Sequence, residues 1–270
     1  MSIVGEANES LLTTRDAARK LGVGPSTIKR WADEGVLECV RTAGGHRRFP
    51  RDQVEALLHA HREPPKDFID HWVDLLSSAP DEYSVLSELY ALRSREGTWF
   101  KVADRLTLVL EAIGERWATG EISIAQEHTA SERLSRALIR TIETLPPSAS
   151  KPECALCLPE GEHHAFGILL AELCAREAGW TTRAMTVSLP DHEIQALLVE
   201  QLPRVLVLSA SESSQAQILE RLTSNLHPIV QRTGTLTIFG GRGPWPEPVP
   251  FGLRMHQYGR FRQALDVASP

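Results

Sequence analysis

Three prolines and two serines fall within Leu145-Pro146-Pro147-Ser148-Ala149-Ser150-Lys151-Pro152. Proline lacks a backbone N–H and disfavours helix at the residue before it, so no regular element runs through this stretch. It reads as a linker. The Pro-Pro pair in Arg62-Glu63-Pro64-Pro65-Lys66 makes a second break. The chain is thereby held to three consecutive parts, 1–62, 66–145 and 152–270, and each must build its elements from its own pattern.

The patterns differ. Between the breaks, Val85–Arg95, Val102–Ala118 and Ile122–Thr144 place apolar residues three and four apart with charges between them. Several helices in about 80 residues predict a central four-helix bundle. After the second break, apolar runs alternate with amphipathic stretches: Cys154–Leu158 then Ala165–Ala178, Thr182–Val187 then Asp191–Glu200, Val205–Leu208 then Ser214–Asn225, and finally Thr235–Phe239. That alternation predicts a parallel, doubly wound α/β sheet. The expected fold class is multidomain, α plus α/β.

Composition excludes other classes. With 42% hydrophobic residues the chain has material for cores and is not a disordered polymer. No run approaches the roughly 18 apolar residues of a membrane span. The start, MSIVGEANES, lacks the basic and apolar regions of a secretory signal. Four cysteines are too few for a disulfide scaffold at this length. The expected location is cytoplasmic. The net charge of −6 argues against nucleic acid until it is divided: residues 1–62 carry +2 and residues 63–270 carry −8.

The basic part has the order of a DNA-binding unit. Thr13 or Thr14 caps a helix with Asp16 in its first turn, and Gly22 stops it. A second short helix starts at Pro25. Ser26, Thr27, Lys29 and Arg30 lie near its N-terminal end, the part that enters the major groove in helix-turn-helix proteins. Arg41-Thr42-Ala43-Gly44-Gly45-His46-Arg47-Arg48-Phe49 then predicts two strands joined by a tight turn. Arg41, Thr42, Gly45, His46, Arg47 and Arg48 suit contacts to phosphates. Trp31, Val36, Leu37 and Phe49 are assigned to the small core. This order, and TAGGHRRF in particular, resembles the MerR-type winged helix. The resemblance implies double-stranded operator DNA as partner and a dimer or higher oligomer.

In the last part, Glu162-His163-His164-Ala165-Phe166-Gly167 lies where the first strand of the sheet meets the first helix, a normal ligand position. A zinc site with Cys154 and Cys157 is disfavoured, because residues three apart on a strand point to opposite faces. A solvated loop histidine is the plain reading. The stretch E-x-H-x-x-G is also similar to the motif of the cobalamin-binding domain, a Rossmann-like α/β fold. That resemblance implies His164 as lower axial ligand of cobalt, Glu162 orienting it, and Gly167 giving room for the nucleotide tail. It also implies Ser209 and Ser211 in the tail pocket and Gly240 and Gly241 close to the buried base. The loop Val187-Ser188-Leu189-Pro190 is shorter than the family's glycine-containing one.

The middle part holds Trp117, then nine residues, then Glu127-His128. This spacing resembles the helical cap of methionine-synthase-like proteins and CarH-type regulators. It implies Trp117, Glu127 and His128 over the upper corrin face, beside an adenosyl group. A core tryptophan with two surface residues is the alternative. Some light-sensing members carry a histidine directly after this tryptophan, where this chain has Ala118.

Together the three parts resemble CarH/LitR-type regulators. The resemblance implies a transcriptional regulator, a repressor rather than an enzyme. It also implies control by adenosylcobalamin, with light acting through the cobalt–carbon bond to change assembly and DNA affinity. The oligomer implied is a dimer or tetramer, with no membrane partner. The alternatives are a regulator that senses another tetrapyrrole or cobalamin form without photochemistry, and a corrinoid carrier for methyl transfer.

Overall fold

The computed structural model describes residues 11–21, 24–33, 35–42, 44–54, 66–78, 81–146 and 153–269. They fall into two compact units, residues 1–67 and 68–270.

The first unit opens with β1 (Leu11–Thr13), α1 (Thr14–Leu21) and α2 (Pro25–Asp33), followed by β2 (Val40–Arg41) and β3 (Arg47–Pro50). Thr13 is the cap of α1: its hydroxyl oxygen accepts from the Asp16 N–H at 3.1 Å and its O–H donates to the Asp16 carboxylate at 2.6 Å. The expected stop at Gly22 lies outside the described residues. The strands form an antiparallel sheet in the order β1-β3-β2. β2 and β3 are the two strands predicted around Gly44-Gly45. β1 is too short to show a period of two in the sequence. Leu37 and Phe49 are buried with Leu12, Ala17, Ala18, Leu21, Ile28 and Val54, and Trp31 and Val36 pack at the edge of that core.

The second unit begins with four helices: α3 (Lys66–Ser78), α4 (Glu82–Glu96), α5 (Trp99–Ala118) and α6 (Ile124–Glu143). Their ends follow local chemistry. The Asp81 carboxylate accepts from the Ser84 N–H at 2.9 Å. Gly97 takes the left-handed conformation that closes α4. Ser123 and Gln126 form a reciprocal capping box at the start of α6.

The α/β part follows as β4 (Glu153–Leu158), α7 (Phe166–Glu177), β5 (Thr181–Ser188), α8 (Asp191–Glu200), β6 (Val205–Ser209), α9 (Ala216–Thr233), β7 (Leu236–Gly240), β8 (Leu253–Arg254) and α10 (Tyr258–Ala268). All strand pairs are parallel, in the order β5-β4-β6-β7-β8. The doubly wound sheet is as expected, with two additions: β8, of two residues, and α10. α9 also runs further than predicted, through Pro228 to Thr233.

Strand alternation separates the two faces. Cys154, Leu156 and Leu158 join one core, while Ala155 and Cys157 join the other. The cysteines three apart therefore do not converge. Among the described residues no group of three or more His, Cys, Asp or Glu could hold a metal ion. No described helix is long and apolar enough to cross a membrane.

α7 joins the helical segment to the sheet. α5, α6 and α10 all pack against it, and it is buried nearly all round, including Ile168, Leu169, Leu170, Leu173 and Cys174. One core runs from Trp72 and Leu106 of the bundle through Leu173 to Leu156 of the sheet. Segments 66–145 and 152–270 therefore fold together as one compact unit. Polar contacts fix the seam. The Glu177 carboxylate accepts from the Trp99 N–H at 2.8 Å and from Arg93 at 2.8 Å. The Asp104 carboxylate on α5 accepts from the Tyr258 N–H at 2.9 Å and so caps α10 across the seam.

Burial raises the Asp104 carboxyl to about 6, against the lowering effect of the Tyr258 and Gly259 N–H groups and of Arg105. A carboxyl raised on folding binds its proton more tightly in the folded state, so its ionisation costs stability as pH rises from about 4 through 6. Asp104→Asn keeps an acceptor for α10 and removes that charge. It is expected to stabilise the chain by about 1 kcal/mol at pH 8, with the gain vanishing near pH 4, as read by denaturant unfolding.

Candidate functional site: a buried carboxylate holding an exposed histidine

The sheet order reverses between β4 and β6. From β4 the chain moves outward to β5, then returns to the other side of β4 as β6. Open α/β sheets bind ligands in the crevice at the carboxyl ends of the strands flanking such a reversal. Glu162 follows β4, and Ser211 follows β6.

Glu162 is buried, with 1% of its surface exposed. Its Oε1 accepts from the backbone N–H groups of His163 at 2.8 Å and His164 at 2.7 Å, and lies 2.7 Å from His164 Nδ1. Its Oε2 accepts from the Ser211 N–H at 2.6 Å and from the hydroxyls of Ser211 at 2.8 Å and Ser214 at 2.5 Å. Burial opposes ionisation here. The hydrogen bonds from Ser214, Ser211 and His164 outweigh it and hold the carboxyl down at about 2. An ionised carboxylate has no proton to give, so the bond to His164 requires the proton on Nδ1. In the neutral ring Nε2 then carries the free lone pair. The His164 side chain is 64% exposed. The arrangement is that of an oriented nitrogen ligand, with its second nitrogen fixed by an acid.

The other sequence-predicted residues of this part converge on the same edge. A Cβ on Gly167 would stand 2.1 Å from Ser209 Oγ, so its bare backbone lets α7 approach β6, and Ser209 occupies that space. Ser211 braces Glu162. Gly241, at φ 74°, has the Ala210 carbonyl 2.1 Å from where its Cβ would be, so no side chain fits there. Gly240 has only ordinary contacts. The short loop after β5 is confirmed: Leu189 donates to the Leu158 carbonyl and Pro190 already precedes α8.

Sequence reasoning missed Ser214, whose place in SESS after β6 is its only signal. It also missed Arg242, which follows Gly240-Gly241 and reaches Glu111 of α5 at 3.1 Å and Glu212 at 3.7 Å. An open cavity of about 720 Å³ beside Arg242 is lined by Trp245, Arg254 and His256. His164 does not line it, and Arg254 donates to the Phe239 and Gly241 carbonyls. The ligand-holding geometry lies at Glu162.

In the helical segment, Trp117 is the penultimate residue of α5 and is half exposed rather than a core residue. Glu127 and His128 stand in the first turns of α6. The Glu127 carboxylate contacts His128 Nδ1 and accepts from the Ser131 hydroxyl at 2.7 Å. Ile124 is also exposed, one helical turn before His128.

In the first unit, Ser26, Lys29 and Arg30 are exposed on α2 and Thr27 is half-buried. Arg41, Thr42, Gly45 and His46 are exposed in the wing, with Arg48 half-buried. Arg47 departs from the expectation. Strand alternation puts it on the face of Phe49, toward the core, and its guanidinium donates to the Lys29 carbonyl at 2.8 Å and to Asp33.

Comparison with known families finds matches in two parts of the chain. Residues 11–62 match the family model described as helix-turn-helix domain, and residues 101–140 match the one described as B12 binding domain. The chain thus carries a match to a helix-turn-helix domain followed by a match to a B12-binding domain. The second match covers most of α5 and α6, and so includes Trp117, Glu127 and His128. The chain is 24% identical over 222 residues to the HTH-type transcriptional repressor CarA of Myxococcus xanthus, spanning 73% of this chain and 76% of that protein. It is 27% identical over 237 residues to the HTH-type transcriptional repressor CarH of the same organism, spanning 86% and 78%. The solved monomethylamine corrinoid protein of Methanosarcina barkeri shares the fold, with a TM-score of 0.57 and 17% identity over 74% of this chain and 96% of that one.

Glu162 gains stability from ionisation. That gain is complete above about 4.5 and is lost as pH falls toward about 2. Glu162→Gln turns an amide donor toward donors. It is expected to cost about 2 kcal/mol at pH 7, with the difference from the native chain shrinking below pH 4.5. Denaturant midpoints measured across that range check this.

Proposed function

We propose that this chain is a DNA-binding transcriptional repressor controlled by adenosylcobalamin, with light as the signal. The observation that carries the reading is the Glu162–His164 pair at the sheet's reversal point. A buried, ionised acid fixes one imidazole nitrogen and leaves the other as a ligand atom. A neutral imidazole is a good donor to cobalt. His164 would hold the metal from below, with Glu162 orienting it. Ser209, Gly167, Gly240 and Gly241 would border the nucleotide tail.

Trp117, Glu127 and His128 would cover the upper side. Trp117 offers a large flat surface that the bundle core does not use. Adenosylcobalamin, when bound, supplies a cobalt–carbon bond that light cleaves. Ala118 has no ligating atom, so it would not hold the metal from above. His128, in contact with Glu127 at Nδ1, or water would take that position instead.

DNA binding belongs to residues 1–62, with Ser26, Thr27, Lys29 and Arg30 facing bases and Arg41, Thr42, Gly45, His46 and Arg48 facing phosphates. One such unit spans a half-site, so a homodimer or tetramer would bring weak contacts together through effective concentration. The repressor names of the two Myxococcus xanthus relatives support the direction of the switch. The likeness to a corrinoid protein supports a corrinoid in the α/β part, while the helix-turn-helix domain disfavours a methyl carrier.

The purified chain, mixed with adenosylcobalamin in the dark, is expected to bind it and to change its absorption spectrum under green light. Size-exclusion chromatography should show a change of assembly on illumination. No bound corrinoid overturns the cofactor, and a bound corrinoid with no spectral change overturns light sensing. His164→Ala should weaken cobalamin binding at least tenfold; unchanged affinity and spectrum would exclude His164 as ligand.

A further inference from the structure

The wing and the recognition helix are joined by one side chain. Arg47 sits in β3 opposite Arg41 of β2. Its side chain is only 18% exposed. One guanidinium nitrogen donates to the Lys29 carbonyl at 2.8 Å and another to Asp33 Oδ1 at 2.5 Å. Lys29 stands one position before the last turn of α2, and Asp33 ends the helix.

A helix C-terminus carries a partial negative charge, which favours a cation with several donors. Leu37 donates to the Trp31 carbonyl at 3.1 Å, and Arg47 adds its contacts to the Lys29 carbonyl and the Asp33 carboxylate. The hydrogen bond to Asp33 raises the Arg47 pKa, so the cation is reinforced in place.

We infer that Arg47 is a positioning residue for DNA binding: it caps α2 from the wing and so sets the recognition helix and the wing in one register. A lysine cannot replace it, because its ammonium is a point charge and lacks the planar fork that spans a carbonyl and a carboxylate. The inference rests on the reading of α2 and the wing as the DNA-facing elements.

Two measurements on the full chain test it. The first is hydrogen exchange without DNA. Arg47→Ala and Arg47→Lys should each speed exchange at the last-turn amides of α2 by between about 3- and 10-fold, with α1 unchanged. Native exchange in either variant overturns the cap. The second uses duplexes selected from a random pool by the native chain. Both variants should lose about tenfold in affinity for them relative to random duplex, and keep the native salt slope. Arg41→Ala, at an exposed position, should instead lower the slope by about 0.9. A slope lowered equally by Arg47→Ala makes Arg47 a phosphate contact and overturns the inference. Native affinity restored by Arg47→Lys does the same, because charge alone would then suffice. If the native chain selects no duplex, the DNA reading fails, while hydrogen exchange still decides the cap.

Discussion

The carboxylate of Glu162 is the point on which the ligand edge of the sheet depends. It is buried, and burial alone would keep it protonated. Donors from three places prevent that: the backbone after β4, the imidazole of His164, and the backbone and hydroxyls after β6. The carboxylate therefore ties together two loops that the sheet order separates by a reversal. His164 takes its direction from this tie. Each donor is spent on the same two oxygens, so a change in one loop is felt at the histidine.

The second dependency is the shared core around α7. A helix apolar on all sides must be covered on all sides. The sheet covers one face of α7, and α5, α6 and α10 cover the rest. This is why the helical segment does not stand apart from the sheet. Trp117, at the far end of α5, is thereby carried by a helix locked to the α/β part through Glu177 at its start, Asp104 in its second turn and an ion pair, Arg242–Glu111.

Much of this was legible in the sequence, and the physics explains what was not. Period-two and period-3.6 patterns are local, so β4 to β7 and the last three helices of the bundle could be read directly. Glu162, His164 and Gly167 stood out because a motif compresses a loop, a ligand and a close approach into six residues. β8 and α10 escaped: two residues show no period, and α10 gains its cap from Asp104, 154 residues earlier. Ser214 and Arg242 escaped for the same reason, since their partners lie far away in the chain. Arg47 was visible, but its partners were not: its basic neighbours suggested phosphate, whereas its alternation with Phe49 turns it toward Lys29 and Asp33.

Glu162–His164 and Glu127–His128 repeat one device, an acid at Nδ1, in two settings. In the first the acid is buried and accepts six contacts, so the imidazole direction is fixed. In the second the acid is 25% exposed and the histidine 75% exposed, with Ser131 as the other partner. Exposed polar contacts compete with water and contribute little, so His128 can leave Glu127 at small cost. Under the proposed function, His164 would be a fixed ligand and His128 an adaptable one. The first would retain the cofactor in each state, and the second could differ between states.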